Sequence, residues 1–294
     1  MGSWNEILKE VQETPSQYDY IRRKYLKELN EYTHRNTIAY YSGWLTKGNV
    51  NNIDINDNDM NGFMNCLHGL DCSNGLDLVL HTLGGSPAAA EAIVNYLRSK
   101  FDHDIRVIVP QLAMSAGTMI ACASKEIVMG RHSSLGPIDP QFNGIPAYNI
   151  KSEFEEAKRD LLVNPANAHY WAIKLQQYPA AFLKTAIDAI ELSSQLVEDW
   201  LGSCMFNKET DSESIASIVT KLNEHSNSKN HGRHFDMNFC KSIGLKIVPL
   251  EKDSVLQDKV LSLHHAYIIT LDNTATVKII ESANKSFVFS NRGV

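Results

Sequence analysis

The spacing of apolar and polar residues changes twice along this chain and divides it into three stretches. Residues 1–35 carry apolar side chains at mixed helical spacing, which predicts an N-terminal helical segment. In residues 36–160, short apolar runs alternate with stretches of helical periodicity, a pattern typical of βαβ units and a mainly parallel sheet. Residues 161–294 are mainly helical and are predicted to complete the same domain. The predicted class is therefore α/β.

Individual elements follow from the same periodicities. Apolar and β-branched runs predict strands at Thr37–Trp44, Leu76–Thr82, Ile105–Val109 and Glu126–Met129, and a terminal hairpin built from Tyr267–Thr270, Val277–Ile280 and Ser286–Ser290. Helical spacing predicts a helix capped at Asn56 or Asp57, and further helices at Pro87–Lys100, Ala116–Ala123, Ile150–Leu162, Ala168–Gln177, Pro179–Leu192, Ser194–Met205, Ser212–Asn223 and Phe235–Gly244.

Composition narrows the class of protein. The 294 residues are 43% hydrophobic and 21% charged, which fits a globular protein with a substantial core. A net charge of -6 gives no support to nucleic-acid binding, because that needs a clustered basic surface. No apolar run has the length of a membrane span, and the first ten residues lack the regions of a secretory signal. The five scattered cysteines favour a reduced chain, so we expect a cytoplasmic protein.

Ser115 is the first residue that could carry chemistry. It stands in the run Ala-Met-Ser-Ala-Gly-Thr, after a predicted strand and at the start of a predicted helix. A turn of this kind exposes the hydroxyl, and the helix N-terminus adds unpaired N–H groups and a positive dipole. Taken alone, the position is more typical of an ordinary serine N-cap.

A pair of glycines favours a catalytic role for Ser115. Gly84 and Gly85 follow the predicted strand Leu76–Thr82, where glycine can free backbone N–H groups to bind a developing oxyanion. The carboxyl ends of parallel strands lie at one edge of a sheet, and ligands bind there. We therefore expect the glycine pair and Ser115 to face one site.

In this arrangement the chain resembles a known group of proteins. The order of strand, His-Thr-Leu-Gly-Gly, helix, strand, Met-Ser-Ala-Gly-Thr, helix, strand and Ser-Ser-Leu-Gly-Pro-Ile-Asp-Pro-Gln is similar to that of the ClpP/crotonase superfamily. Within it, the chain resembles the serine dehydrogenase proteinases, which are related to signal peptide peptidase A. The resemblance implies a ClpP/crotonase-like fold with a helical C-terminal region.

The resemblance also implies roles for individual residues. It makes Ser115 the nucleophile and the backbone N–H groups of Gly84 and Ala116 the oxyanion hole, with Gly85 in substrate binding. The peptidases related to signal peptide peptidase A use a lysine base, and aligning Gly136 with their corresponding glycine brings Lys151 to that position. Lys158 is the rival, and either lysine could equally be a solvated helix residue. Asp139 is expected to fix its loop or to interact with Lys151.

The histidines give weaker signals. His225, His231 and His234 have a spacing that could bind a metal, but they lie in a polar loop without a cysteine or carboxylate to complete the set, so no metal is assigned. His81 is expected to be a hydrogen-bonded core residue, and the pair His264 and His265 would point to opposite faces if it lay in a strand. Neither GxGxxG nor GxxxxGK[ST] occurs, so no cofactor is expected.

The leading hypothesis is therefore a serine peptidase that forms an acyl-enzyme on Ser115, with Lys151 as the general base of a Ser–Lys dyad and with protein or peptide substrates. Two alternatives stay open: a crotonase-like acyl-CoA enzyme, and a non-catalytic scaffold that binds protein segments. The many large apolar residues beyond residue 160 predict a symmetric homo-oligomer.

Overall fold

A seven-stranded sheet runs through the protein, as seen in a computed structural model that describes residues 4–13, 17–48, 50–223 and 231–290. The strands in chain order are β1 (Asn36–Ser42), β2 (Leu76–His81), β3 (Ile105–Val109), β4 (Leu112–Ala113), β5 (Glu126–Met129), β6 (Ser134–Leu135), β7 (Gln141–Phe142), β8 (Ile145–Pro146), β9 (Phe235–Asp236), β10 (Ile247–Pro249), β11 (Thr276–Ser282) and β12 (Ser286–Ser290). The sheet has the order β10-β5-β3-β2-β1-β11-β12. Its first five strands are parallel, and β11 and β12 form an antiparallel hairpin at one edge.

Helices cover both faces of this sheet. They are α1 (Trp4–Glu13), α2 (Gln17–Thr33), α3 (Trp44–Lys47), α4 (Asp59–Leu67), α5 (Pro87–Phe101), α6 (Ala116–Cys122), α7 (Ala147–Val163), α8 (Ala168–Leu175), α9 (Phe182–Trp200), α10 (Ser212–Asn223), α11 (Met237–Ser242) and α12 (Ser254–Asn273). One core packs α4, α5, α6, α9 and α10 against the sheet, and a second packs α1, α2 and α12 on the opposite face. Strand β1 shows why two cores are needed: Ile38 and Tyr40 enter the first core, and Ala39 and Tyr41 enter the second.

The predicted α/β class is confirmed, with a mostly parallel sheet and a helical C-terminal region. The strands predicted at Ile105–Val109 and Glu126–Met129 have the observed bounds. The sheet also takes β10, β11 and β12 from the chain beyond residue 160, so the C-terminal region contributes to the central sheet as well as to its helical cover.

Three element predictions were wrong, and one of them is at Phe235–Asp236, which forms strand β9 instead of the start of a helix. Tyr267–Thr270 was predicted as a strand but lies inside α12, where its apolar run is one stretch of a helix buried against the sheet. A short apolar run fits a buried helix as well as a strand, so periodicity alone does not separate them. The two helices predicted at Pro179–Leu192 and Ser194–Met205 are continuous, because α9 runs to Trp200 and continues as a π-helical turn.

Two short strands bring distant parts of the chain together beside the sheet. Strand β4 pairs parallel with β6, and β6 pairs antiparallel with β9 in the register Ser134 to Asp236 and Leu135 to Phe235. The chain after β6 therefore runs alongside the chain that leads into β9. This pairing links the region of Asp139 to a segment more than ninety residues later in sequence.

Candidate active site

A cleft of about 920 Å³ opens where β2 and β3 end and the following helices begin. Its polar lining includes Gly84, Gly85, Ser115, Gln141 and His231, and the rest of its wall is mostly apolar. The expected meeting of the glycine pair with Ser115 is therefore observed at the carboxyl-end edge of the sheet. A largely apolar cleft of this size with a few polar groups is typical of a ligand-binding site.

Ser115 lies in an unusual backbone conformation at the entrance to α6. Its φ is +51° and its ψ is −118°, a region that L-residues other than glycine rarely occupy. Its side chain makes no capping hydrogen bond to the helix, so it does not act as an ordinary N-cap. The residue is half-buried and lines the cleft. Strain of this kind is characteristic of residues whose side chain must be held at a site.

Gly84 lies directly against the Ser115 turn. Its φ is +102°, and a β-carbon at this position would lie 2.7 Å from the β-carbon of Ser115 and 3.0 Å from the backbone nitrogen of Ala116. Among the residues that the structure describes, the N–H of Ala116 has no hydrogen-bond acceptor. The N–H of Gly84 differs from the expectation, since it donates to Thr82 Oγ1 at 3.1 Å. One of the two expected oxyanion donors is therefore open, and the other is engaged by a neighbouring hydroxyl.

The backbone at Gly85 is hydrogen-bonded to Ile55 along one edge and is open along the other. The N–H of Ile55 donates to the carbonyl of Gly84 at 2.8 Å, and the N–H of Ser86 donates to the carbonyl of Ile55 at 2.9 Å. On its other edge, Gly85 has an N–H and a carbonyl for which the described ranges provide no hydrogen-bond partner. This open edge can pair with an extended peptide.

We expect Gly85→Ala to destabilise the protein and to damage the site. Gly85 has a φ of +153°, and a β-carbon there would lie 2.3 Å from the carbonyl oxygen of Ile55. We expect a loss of about 2–4 kcal/mol in the free energy of unfolding, because strain adds to a backbone clash. Gly69→Ala is the matched control, since Gly69 has a φ of +76° but open space around it, and should cost only about 1 kcal/mol. Equal midpoints of thermal unfolding for the two variants would contradict the clash.

His231 and Asp139 form a hydrogen-bonded pair at the same cleft. The Nδ1–H of His231 donates to Asp139 Oδ1 at 2.8 Å, and Gln141 Nε2 donates to the other carboxylate oxygen at 2.8 Å. Asp139 is fully buried, whereas the His231 side chain is 29% exposed and lines the cleft. An imidazole that donates its Nδ1–H to a carboxylate can use the lone pair of Nε2 as a base.

Sequence reasoning missed this pair. Asp139 was expected to fix its loop or to meet Lys151, and its observed partner is His231 instead. The pair follows from the antiparallel register of β6 and β9 in the structure, because extending that register by four residues places position 231 opposite position 139. Both strands are only two residues long, so neither produces a periodicity that the sequence reveals.

Lys151 lies outside the cleft lining. It lies near the start of α7, its side chain is 42% exposed, and its Nζ is 4.0 Å from Glu155 Oε1 one helical turn away. Lys158 is also exposed on α7. The structure therefore does not bring either lysine together with Ser115 and the glycine pair.

The other histidines take structural positions. His81 is buried between the rings of Tyr41 and Trp44, and burial lowers its pKa to about 3. Contrary to expectation, neither of its ring nitrogens has a hydrogen-bond partner within the described part of the chain. His264 and His265 lie in α12 and not in a strand. His225 lies outside the described residues, and the described residues contain no group of three histidine, cysteine, aspartate or glutamate side chains that could hold a metal.

None of the helices in the described ranges combines the length and the apolar character needed to span a membrane.

Comparison with known proteins gives relatives for part of the chain. Two uncharacterized proteins of Methanocaldococcus jannaschii, MJ0137 and MJ1495, are each 42% identical to it, over 85 and 77 residues respectively. These matches cover 29% and 26% of this chain, and the chain spans only 29% and 25% of the length of these relatives. Among solved structures, a membrane-bound stomatin-specific protease is 16% identical with a TM-score of 0.38, covering 70% of this chain and 79% of that protein.

The family comparison covers the cleft itself. The sequence profile of the ClpP-like SDH-type serine proteinases matches residues 45–164, a stretch that includes both glycines, Ser115, Asp139 and Lys151 but ends before His231. This match supports a serine peptidase at the level of the family. The resemblance seen in the sequence is thereby confirmed, because residues 45–164 match the profile of the ClpP-like SDH-type serine proteinases.

Proposed function

We propose that this protein is a serine peptidase in which the Ser115 hydroxyl attacks the carbonyl carbon of a peptide bond. The observation that carries the proposal is the presence in one cleft of a strained serine turn and a histidine hydrogen-bonded to a buried carboxylate. Serine, base and orienting acid recur in this relationship on unrelated folds and are recognised by geometry, not by order in the chain. Protein or peptide chains are the proposed substrates.

In the proposed mechanism, His231 is the general base and Asp139 orients it. Nε2 of His231 accepts the proton of Ser115 as Oγ attacks, and then donates it to the nitrogen of the leaving peptide. Asp139, which accepts the Nδ1–H, holds the required tautomer and stabilises the imidazolium that forms. Water then attacks the acyl-enzyme as His231 takes one of its protons. His231 passes this proton to Ser115 Oγ as the acyl–oxygen bond breaks, and the second product leaves as a carboxylic acid that ionises in solvent.

The backbone around Ser115 completes the proposed site. The N–H of Ala116 and, after leaving Thr82 Oγ1, the N–H of Gly84 would bind the negative oxygen of the tetrahedral intermediate. The open edge of Gly85 would pair with the substrate backbone and place the scissile carbonyl against Ser115. The apolar wall of the cleft would take up substrate side chains.

A lysine base is the second candidate mechanism. The observation in its favour is that α7, which carries Lys151, begins directly after the β7–β8 hairpin, and residues of that hairpin line the cleft. A Ser–Lys dyad would require Lys151 to leave Glu155 and enter the cleft. His231 already lines the cleft that contains Ser115, whereas Lys151 does not, so we rank the His231 mechanism first.

Peptide cleavage tests the proposed function directly. A mixed peptide library is incubated with the protein, with and without prior treatment by a fluorophosphonate, and new termini are identified by mass spectrometry. We expect new termini only in the untreated sample, because the reagent blocks an activated serine. A library that the untreated protein leaves intact, while the protein still binds its peptides, would instead support the non-catalytic scaffold.

We still propose a homo-oligomer, but not all of the residues that the sequence suggested for its interface support it. Several large apolar residues beyond residue 160, such as Trp171, Val197 and Trp200, pack inside the chain and leave no surface to cover. Others are exposed around α7 and α8: Leu162, Val163, Tyr170 and Ile173. Such residues favour an interface, so we expect light scattering to give a multiple of the 33.0 kDa chain mass, and a mass near 33 kDa at micromolar concentration would refute this.

A further inference from the structure

The segment Ile53–Asn56, here called the Ile55 segment, forms a wall beside the glycine pair. It is joined to that pair by the two backbone hydrogen bonds of Ile55 described above. Ile53 and Ile55 are buried, and Asp54 lines the cleft. The position of Gly84 and Gly85 relative to Ser115 therefore depends on where this segment is held.

Three polar side chains form hydrogen bonds that hold the Ile55 segment in place. Ser42 Oγ donates to the carbonyl of Ile53, and Lys278 Nζ donates to the carbonyl of Asp54 at 2.7 Å. The N–H of Asn56 donates to Asp59 Oδ2 at 3.1 Å. These contacts come from β1, β11 and α4, so the segment is tied to three separate elements.

Lys278 and Asp59 are the unusual members of this set. Both side chains are fully buried and form an ion pair, and Tyr40 donates its hydroxyl hydrogen to Asp59 Oδ2 at 2.8 Å. The ring of Phe289 lies 4.5 Å from Lys278 Nζ. A buried ion pair is often no more stabilising than an apolar pair of similar volume, so stability alone gives little reason to retain it.

We propose that Lys278 and Asp59 are positioning residues of the active site, which hold the Ile55 segment and through it fix Gly84 and Gly85 against Ser115. Neither residue lines the cleft, so neither acts on the substrate itself. Lys278 lies on β11, so in this proposal the hairpin of β11 and β12 helps to set the geometry of the site. The inference rests on the proposed function, because it treats the glycine pair as part of the catalytic site.

The test separates positioning from stability by removing the ion pair as a whole. Lys278→Met alone leaves Asp59 buried without its cation, and should lower the midpoint of thermal unfolding by about 5–10 °C. The double variant Asp59→Leu/Lys278→Met removes both charges and should recover part of this loss, although the Tyr40 hydroxyl and the Asn56 N–H lose their acceptor. Lys285→Met is the matched control, since Lys285 lies on the same hairpin but contacts His68.

Two readouts are taken on the double variant at a temperature well below its midpoint. Hydrogen exchange should be faster at Ile55 and Ser86, whose N–H groups bond across the segment. The rate of Ser115 acylation by a fluorophosphonate should fall about tenfold, because a small misplacement of backbone groups carries a large kinetic cost. Lys285→Met should match wild type in both.

A milder variant tests the proposal if the double variant does not fold. Ser42→Ala removes only the hydroxyl bonded to Ile53 and should slow acylation about threefold. The positioning role is overturned if the double variant folds and shows wild-type hydrogen exchange and acylation. If the double variant does not fold, wild-type values in Ser42→Ala would overturn it. A wild-type protein that takes no label would refute the proposed function, and with it this proposal.

Discussion

Ser115→Ala is expected to reduce hydrolysis of peptide and ester substrates by about 10⁴-fold or more, since it removes the only group proposed to form the acyl-enzyme. The variant should keep its free energy of unfolding within about 1 kcal/mol, because the hydroxyl makes no capping bond and alanine keeps the same β-carbon. Initial rates of ester hydrolysis and thermal unfolding measure the two quantities on the same preparation.

An exposed serine gives the control for this variant. Ser152→Ala changes the same hydroxyl on α7, outside the cleft lining, and should leave both the rate and the stability unchanged. If Ser115→Ala keeps more than a tenth of the wild-type rate, Ser115 is not the nucleophile. A loss of activity accompanied by unfolding would instead point to the strained turn as a structural feature.

His231→Ala should lower the rate of acylation by about 10³-fold, because it removes the group that we propose accepts the Ser115 proton. Asp139→Asn should lower it by about two orders of magnitude or more, since an amide does not hold the imidazole in the same tautomer. Lys151→Ala should leave the rate near that of wild type, because the lysine side chain pairs with Glu155 outside the cleft. The second-order rate of fluorophosphonate labelling measures all three variants.

The three variants also decide between the two mechanisms. A large loss in Lys151→Ala together with a near-wild-type rate in His231→Ala would establish the Ser–Lys dyad and refute the His231 mechanism. Near-wild-type rates in both variants would mean that the base lies elsewhere. His234→Ala is the control for histidine removal, since His234 is exposed and close in sequence to His231.

The site could be predicted from the sequence where a strand with a clear apolar pattern leads directly into the residues of the site. The runs Leu-Asp-Leu-Val-Leu-His before the glycine pair and Ile-Arg-Val-Ile-Val before the Ser115 turn each predict a strand, and the rule for parallel sheets then brings the two turns to one edge. Because the strand ends are fixed by local pattern, the meeting of Gly84 with Ser115 could be predicted without knowing the rest of the fold.

The rest of the site depends on contacts between distant segments. His231 reaches Asp139 through the pairing of β6 with β9, and the Ile55 segment reaches Gly85 through an isolated bridge outside the named strands. Neither contact produces an amphipathic period, because each involves only two or three residues. The lysine prediction came from an aligned spacing, which specifies a position in sequence but not the direction of a side chain on α7.

Mapping the fluorophosphonate adduct by tandem mass spectrometry tests the central claim most directly. The account predicts a single adduct on wild-type protein, located on Ser115, that is absent when the protein is denatured before labelling and absent in Ser115→Ala. Labelling requires a nucleophile activated by its folded surroundings, so a solvated serine such as Ser152 should not react. An adduct on another residue, or no adduct on the folded protein, would contradict the account.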